Sequence, residues 1–314
     1  MPELSIIIPA VNEYPQSAFT IQNIYNELRD EVDFELIYID NYCDELKAQR
    51  RTPDKGLEYL KSISNRHPWL KVLSYTDKLS HWNAKNLGIK EAKGEYLWFC
   101  DAHCGLGRGS LKAMFEYYKK AHVSLNGTLH LPLSYLLEKP GLELTYKLVA
   151  DVPRGIAHYS FTRYQPSQVP YKVPCMSTCG MMITRDMMVN ELGMWPSELG
   201  IYGGGENFIN FTLAVLGRTI NIFPAKYPLF HYAERRGYSW NSGDWLRNRA
   251  IASFIHSGPE FAKTMLKHAK GQELTKNRIF ESIAGNHSVL DHRDKIEKAS
   301  RMSIEDYCTK WSGK

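Results

Sequence analysis

Asp101 and His103 stand one residue apart at the end of an apolar run, Tyr96-Leu97-Trp98-Phe99-Cys100. A strand sends alternate side chains to the same side, so this spacing lets a carboxylate and an imidazole reach one ion. That donor pair suits a divalent cation such as Mn²⁺, which tolerates mixed oxygen and nitrogen ligation. A cation held there can clamp a diphosphate and offset its charge as it departs. Asp-x-His alone is common by chance; its place after a buried-looking strand gives it weight.

Other groups of this kind recur along the chain. Asp40 closes a second apolar run, Phe34-Glu35-Leu36-Ile37-Tyr38-Ile39. Trp82-Asn83-Ala84-Lys85-Asn86 opens a helical stretch whose first amides favour an anion. Gly203-Gly204-Gly205-Glu206-Asn207 reads as a loop that lets backbone approach a ligand, followed by a helix start. Glu206 there is either a reacting acid or a carboxylate complementing the helix dipole. Residues 234–249 interleave Arg235, Arg236, Arg247 and Arg249 with Tyr238, Trp240 and Trp245. Aromatic faces stack on sugars or bases and arginines pair with phosphates; the plain alternative is a packed loop with a solvated charged face.

The elements that must position these groups follow from periodicity. Leu4-Ser5-Ile6-Ile7-Ile8-Pro9 is a near-continuous apolar run, as in a strand buried on both faces. The pattern predicts helices over 17–30, 57–66 and 83–93, the last closed by Gly94 as a C-cap. Further strands are expected at 34–40, 70–75 and 96–101. Strand–helix alternation over the first 120 residues predicts a doubly wound sheet, with Asp40 and Asp101 on the edge where such sheets bind ligands. Residues 127–173, rich in proline and tyrosine, read as strands and loops facing an acceptor. Residues 206–216 read as a helix and 219–223 as a late strand. From Asp244 the chain is mostly helical, broken at Gly258-Pro259 and Gly271.

Composition bounds the class. With 314 residues, 43% hydrophobic, the chain can form one large domain or a domain with a helical appendage. No run of about 18 apolar residues is present, so no membrane span is expected. No secretory leader is expected ahead of the first strand. The six cysteines show no paired C-x-x-C spacing; Cys175 and Cys179 read as buried thiols rather than half a zinc site. A reducing cytoplasm, that of a host if the source is viral, is the expected compartment. The net charge of +5 permits a polyanionic partner.

Taken together, Ser5-Ile6-Ile7-Ile8-Pro9-Ala10-Val11-Asn12-Glu13, Ile39-Asp40-Asn41, Trp82 through Gly88 and Lys93 through His103 resemble the GT-A nucleotide-sugar glycosyltransferases. The Asp-Ala-His-Cys form, Gly203 through Asn207 after Cys179-Gly180-Met181-Met182-Ile183, and Ile222-Phe223-Pro224 leading to Phe230-His231 are similar to the polypeptide N-acetylgalactosaminyltransferases. The resemblance covers about residues 4–232. It implies a Rossmann-like doubly wound mixed sheet over 1–232, then a lid segment and helical C-terminal region over 233–314. It implies a metal site of Asp101, His103 and His231 taking Mn²⁺ or Mg²⁺. A UDP-sugar donor would meet Pro9, Asn12, Glu13, Asp40, Lys85, Asn86, Ala102, Gly204, Gly205, Asn207, Arg235 and Arg236, with Asp40 on the uracil imide. Glu206 and Asp101 are the implied catalytic residues. Asn41 departs from the common Asp-Asp pair, and Asn207 from the usual Glu-Asp, which favours retaining chemistry.

The expected activity is transfer of a hexose from the UDP-sugar to an acceptor hydroxyl. The acceptor reading leans narrowly to a hydroxymethylated pyrimidine in phage-like DNA, contacted by Tyr238, Trp240, Trp245, Arg247 and Arg249. The alternatives are a glycan, a lipid-linked saccharide or a protein side chain, and, in another class, nucleotide-sugar binding without transfer. No obligate protein partner is evident.

Overall fold

The computed structural model describes residues 1–135, 143–232 and 238–311. Four apolar segments form the parallel half of the main sheet: β1 (Leu4–Ala10), β2 (Phe34–Asp40), β3 (Leu70–Ser74) and β4 (Tyr96–Phe99). Every residue of β1, β2 and β4 is buried, as their largely apolar runs require; among the polar exceptions, Ser5 and Glu35 hydrogen-bond each other at 2.6 Å. Short strands follow in chain order: β5 (Cys104–Leu106), β6 (Gly127–His130), β7 (Leu133–Ser134), β8 (Leu144–Asp151), β9 (Ile156–Arg163), β10 (Tyr171–Val173), β11 (Met181–Thr184), β12 (Thr219–Ile222) and β13 (Leu229–His231).

The eight-stranded sheet runs β10-β12-β6-β11-β4-β1-β2-β3. It is mixed because β11 enters antiparallel between β4 and β6, pairing Met181 with both Phe99 and His130. A second sheet, β5-β13-β7-β8-β9, stands beside the C-terminal edge of the first. Helix His81–Glu91 packs on β1 and β2. Gly88 permits that approach, since a Cβ there would lie 2.7 Å from the Ile7 side chain.

Two local expectations shift. The helix predicted over 83–93 begins at His81, where Ser80 Oγ accepts the Asn83 amide at 3.2 Å. It ends before Gly94, which is no cap: the Gly94 amide donates to Ser5 Oγ, and a Cβ would meet the Ser5 backbone at 2.7 Å. The sequence reading assigns no helix between Asp101 and Gly127, yet Ser110–Leu125 is one, burying Leu111, Met114, Phe115 and Tyr118 at helical spacing.

The C-terminal region is helical as expected. Helix Ser242–His268 is broken at Gly258, where φ is +86° ahead of Pro259. It packs on helix Gly205–Val215, and the shorter helices 273–284, 287–299 and 304–311 close around the pair. Among the described residues, no helix is long and apolar enough to cross a membrane.

Candidate functional site

Asp101 and His103 lie in the turn that carries the chain out of β4 into β5. The second sheet supplies the third group: β13 pairs antiparallel with β5 so that His231 lies opposite Cys104, and the Tyr232 amide donates to the His103 carbonyl at 2.9 Å. His231 Nε2 is thereby 3.2 Å from Asp101 Oδ2 and 3.2 Å from His103 Nε2. One donor atom from each of the three falls within 4.8 Å of the others.

The donor set fits a divalent cation. Asp101 Oδ1 and His231 Nδ1 are buried and have no hydrogen-bond partner among the described residues. Two imidazole Nε2 atoms face each other beside a carboxylate, which a shared cation satisfies better than a single proton. Glu13 Oε2 lies 3.1 Å from His103 Nδ1, so Nδ1 donates to the carboxylate and Nε2 is turned to the cluster. Burial opposes a proton on His103, but Glu13 holds its pKa up at about 9. Burial likewise opposes charge on Asp101, yet His231, Lys85 and His81 hold that carboxyl well below its usual range.

These groups open on a cavity of about 400 Å³, lined also by Glu206, Asn207, Tyr146, His158, Tyr159, Trp245 and Arg249. Burial raises the Glu206 carboxyl, with Lys85 acting against it. Lys85 is fully buried, 3.9 Å from Asp101 Oδ1 and 3.1 Å from Thr178 Oγ1, over the Trp82 ring. It is a fixed internal countercharge to the site's acids.

The glycine tract has a packing reason. Gly203 and Gly204 both have φ of +75°, and a Cβ would sit 2.4 Å from Trp245 at the first and 2.4 Å from the Asn248 backbone at the second. At Gly205 a Cβ would lie 2.2 Å from the Trp82 ring. The tract seats two tryptophans and the long C-terminal helix, and by doing so presents Glu206 and Asn207 to the cavity.

A second, small cavity of about 40 Å³ joins the first at the ends of β1 and β4, lined by Pro9, Glu13, Asn41, Ala102, His103 and Tyr238 among others. Asp40 is buried at the end of β2 and lines neither cavity; burial, then the Asp54 charge, raise its carboxyl to about 6. Asn12 adopts φ +54° in the loop after β1 and lines neither cavity. Asn86 is committed elsewhere, exchanging two hydrogen bonds with the Trp195 backbone at 2.8 and 3.1 Å.

The basic–aromatic segment divides. Tyr238, Trp245 and Arg249 line the large cavity. Trp240 packs against Tyr202 with ring centres 4.8 Å apart and planes tilted by 39°, and Arg247 donates to the Glu198 carbonyl at 2.7 Å. Arg235 and Arg236 lie outside the described residues.

Several site residues escape sequence reasoning. His81 Nε2 is 3.6 Å from Asp101 Oδ1, placed by the Ser80 cap that starts its helix. Asp54 organises the loop after β1 by accepting the Glu13, Tyr14 and Gly56 amides. Tyr146, His158, Tyr159 and Phe161, on the β8–β9 hairpin, form an aromatic wall; the density of rings in 146–161 was the available signal. Phe161 is 52% exposed and packs on Tyr135, whose ring centre lies 5.0 Å from that of His231. Behind Asp101 the thiols of Cys100, Cys104 and Cys179 gather within 4.8 Å, all buried. Cys175 is buried apart from them.

The profile of glycosyl transferase family 2 matches residues 5–189. Human polypeptide N-acetylgalactosaminyltransferase 14 is 22% identical over 259 residues, 78% of this chain and 43% of that protein. A dolichyl N-acetyl-α-D-glucosaminyl phosphate diacetamido-dideoxy-β-D-glucuronosyltransferase of Methanococcus voltae is 27% identical over 118 residues, 37% of this chain and 34% of that one. The chain thus spans less than half the length of these curated relatives. Among solved structures, GalNAc-T7 with UDP, GalNAc and Mn²⁺ superposes with a TM-score of 0.74 at 16% identity, over 99% of this chain and 57% of that one. S. aureus TarS 1–349 with UDP-GlcNAc follows at 0.56 and 14%, over 98% and 81%. At such identities the superpositions establish the shared GT-A fold.

Proposed function

The chain belongs to glycosyl transferase family 2, and on that premise we propose that it moves a hexose from a UDP-sugar to an acceptor hydroxyl, with Mn²⁺ or Mg²⁺ held by Asp101, His103 and His231. One observation carries the reading: a carboxylate and two imidazoles, 130 residues apart at the extreme, converge on the cavity that also holds Glu206. Held by these three residues, a divalent cation would supply electrostatic stabilisation of the departing diphosphate. Lys85 keeps Asp101 ionised, and Glu13 fixes the His103 tautomer that offers Nε2. Pro9, Glu13 and Ala102 border the small cavity proposed for the nucleoside end; Asp40, buried one residue before the Asn41 that lines it, is the proposed acceptor of the uracil imide N–H. Glu206 either orients the donor sugar in a retaining reaction or takes the acceptor proton in an inverting one. An α-linked product from an α-donor assigns the first role and a β-linked product the second.

Asp101→Asn should abolish metal-dependent hydrolysis of the donor while leaving the circular dichroism unchanged. Full turnover of UDP-sugar after exhaustive chelation would overturn the metal assignment.

For the acceptor we favour a hydroxymethylated pyrimidine in DNA. Its primary alcohol is a competent nucleophile, and a base swung out of the stack would meet Tyr238 and Trp245 on the cavity wall. Net charge of +5 favours the polyanion. A second reading, a saccharide or protein hydroxyl, is favoured by the aromatic hairpin wall and by the relatives named for polypeptide acceptors. Binding without transfer predicts no donor hydrolysis at all. A UDP-sugar screen against hydroxymethylated DNA, unmodified DNA, saccharides and peptides, read by mass spectrometry, separates these; glycosylation of a saccharide or peptide with none on DNA would replace the first acceptor by the second.

A further inference from the structure

Among the described residues, Arg249 is a cation without an anion. It lies in helix Ser242–His268 with its guanidinium carbon 4.4 Å from the centre of the Trp245 ring, one turn earlier. Both side chains line the large cavity. Among the described residues the guanidinium has no carboxylate in ion-pair range and no hydrogen-bond acceptor. Its neighbours on the wall are neutral. His158 Nδ1 and the Tyr159 hydroxyl are buried there without partners. Burial, and then the Arg249 charge, push His158 down and so keep it uncharged. Burial also lowers the guanidinium itself to about 10, which leaves it charged at neutral pH.

Arg249 is half-buried; a partly desolvated charge with no partner is unfavourable, and stacking on one indole offsets it only in part. The planar fork of arginine matches a carboxylate or phosphate. Asp101, His103 and His231 reach the cavity from other elements, and Lys85 stays buried behind Asp101 and lines no part of it, so this cation serves a different part of the ligand. We infer that Arg249, with His158 and Tyr159, is an anion subsite for a carboxylate or phosphate that the substrate carries in addition to the donor diphosphate. This rests on the UDP-sugar reading above and extends it: the anion is borne either by the transferred sugar or by the acceptor.

Calorimetry with Mn²⁺ present tests both sources. One arm compares UDP-glucuronate with UDP-glucose. The other compares a six-residue thymidine oligonucleotide with its uncharged methylphosphonate counterpart, added to the UDP-bound protein. A charge-assisted hydrogen bond corresponds to about a tenfold to hundredfold preference. We expect at least a tenfold preference for the charged member in one arm, erased by Arg249→Gln and partly kept by Arg249→Lys. UDP affinity should stay within twofold in both variants, which also reports an intact fold. Preference in the first arm places the charge on the sugar, and in the second on the acceptor. No Arg249-dependent preference in either arm overturns the inference. So does weakened UDP binding in Arg249→Gln, which would assign the residue to the diphosphate. Absence of UDP binding by the wild type defeats the donor reading instead, and the oligonucleotide arm, run without UDP, still decides the subsite.

Discussion

Replacing Glu13 by glutamine should weaken cation binding, and the deficit should grow with pH. Glu13 Oε2 lies 3.1 Å from His103 Nδ1, close enough to fix the ring and make its Nε2 more basic. Glutamine keeps an acceptor oxygen and loses the charge. Removing such a partner from a metal-ligating histidine lowers affinity about 10–100-fold, on the order of 1.4–2.7 kcal/mol. Proton competition acts in the opposite direction. Burial disfavours the imidazolium, but Glu13 holds the metal-free His103 up at about 9. Between pH 7 and 9, ligation in the wild type must therefore expel a proton, and affinity should rise about tenfold per pH unit. In Glu13→Gln the imidazole loses that support, its pKa falls, and the rise ends at lower pH. Near pH 7 the two effects oppose each other and the variant binds almost as well as the wild type. Near pH 8.5 competition in the wild type has fallen to about fourfold, since His103 sits at about 9, and most of the deficit emerges. Anaerobic Mn²⁺ titrations with saturating UDP at pH 6.5, 7.5 and 8.5 measure both slopes. A wild-type-to-variant ratio that does not change with pH, or equal affinity at pH 8.5, would refute the reasoning.

Three further outcomes follow from other parts of the structure. Gly205→Ala drives a methyl to within 2.2 Å of the buried Trp82 ring; overpacking of this kind costs about 1–3 kcal/mol, so an unchanged urea midpoint would show the contact is not a constraint. His130 is buried between the Ser177 carbonyl and Thr128, and burial holds it down at about 3. The unfolded chain therefore binds the extra proton, and stability present above about pH 6.5 is lost as pH falls, about 1.4 kcal/mol per unit. His130→Gln should flatten urea midpoints between pH 6 and 4 by one proton's worth, and a slope equal to that of the wild type would contradict this. Asp40, raised to about 6 by burial and Asp54, should give a preference for UDP over CDP that fades below pH 6. Asp40→Asn should lack the preference at every pH; a variant that still discriminates removes Asp40 from base reading.

The parts of this protein legible in its sequence are those set within a few residues of one another. Near-continuous apolar runs at Leu4, Phe34 and Tyr96 announce strands buried on both faces, because a backbone with period two leaves no solvent side in a covered sheet. Asp101 and His103 follow from the same period, and the break at Gly258-Pro259 from residues that cannot continue a helix. What depends on pairing between distant segments was out of reach of such patterns. His231 joins His103 only because β13 lies against β5. No spacing rule links Glu13 to a histidine 90 residues away, and its carboxylate faces that ring. Lys85 and Asn86 are adjacent in sequence, yet helix packing turns one to the acids and the other to the Trp195 backbone. The Gly203–Gly205 tract is visible as a string of glycines, but its reason is two tryptophans and a helix from elsewhere in the chain. Arg247 and Arg249 look equivalent on paper; the helix sends Arg247 to the Glu198 carbonyl and Arg249 into the cavity. Local backbone geometry is written residue by residue, whereas a site is the meeting of side chains whose positions only the closed topology decides.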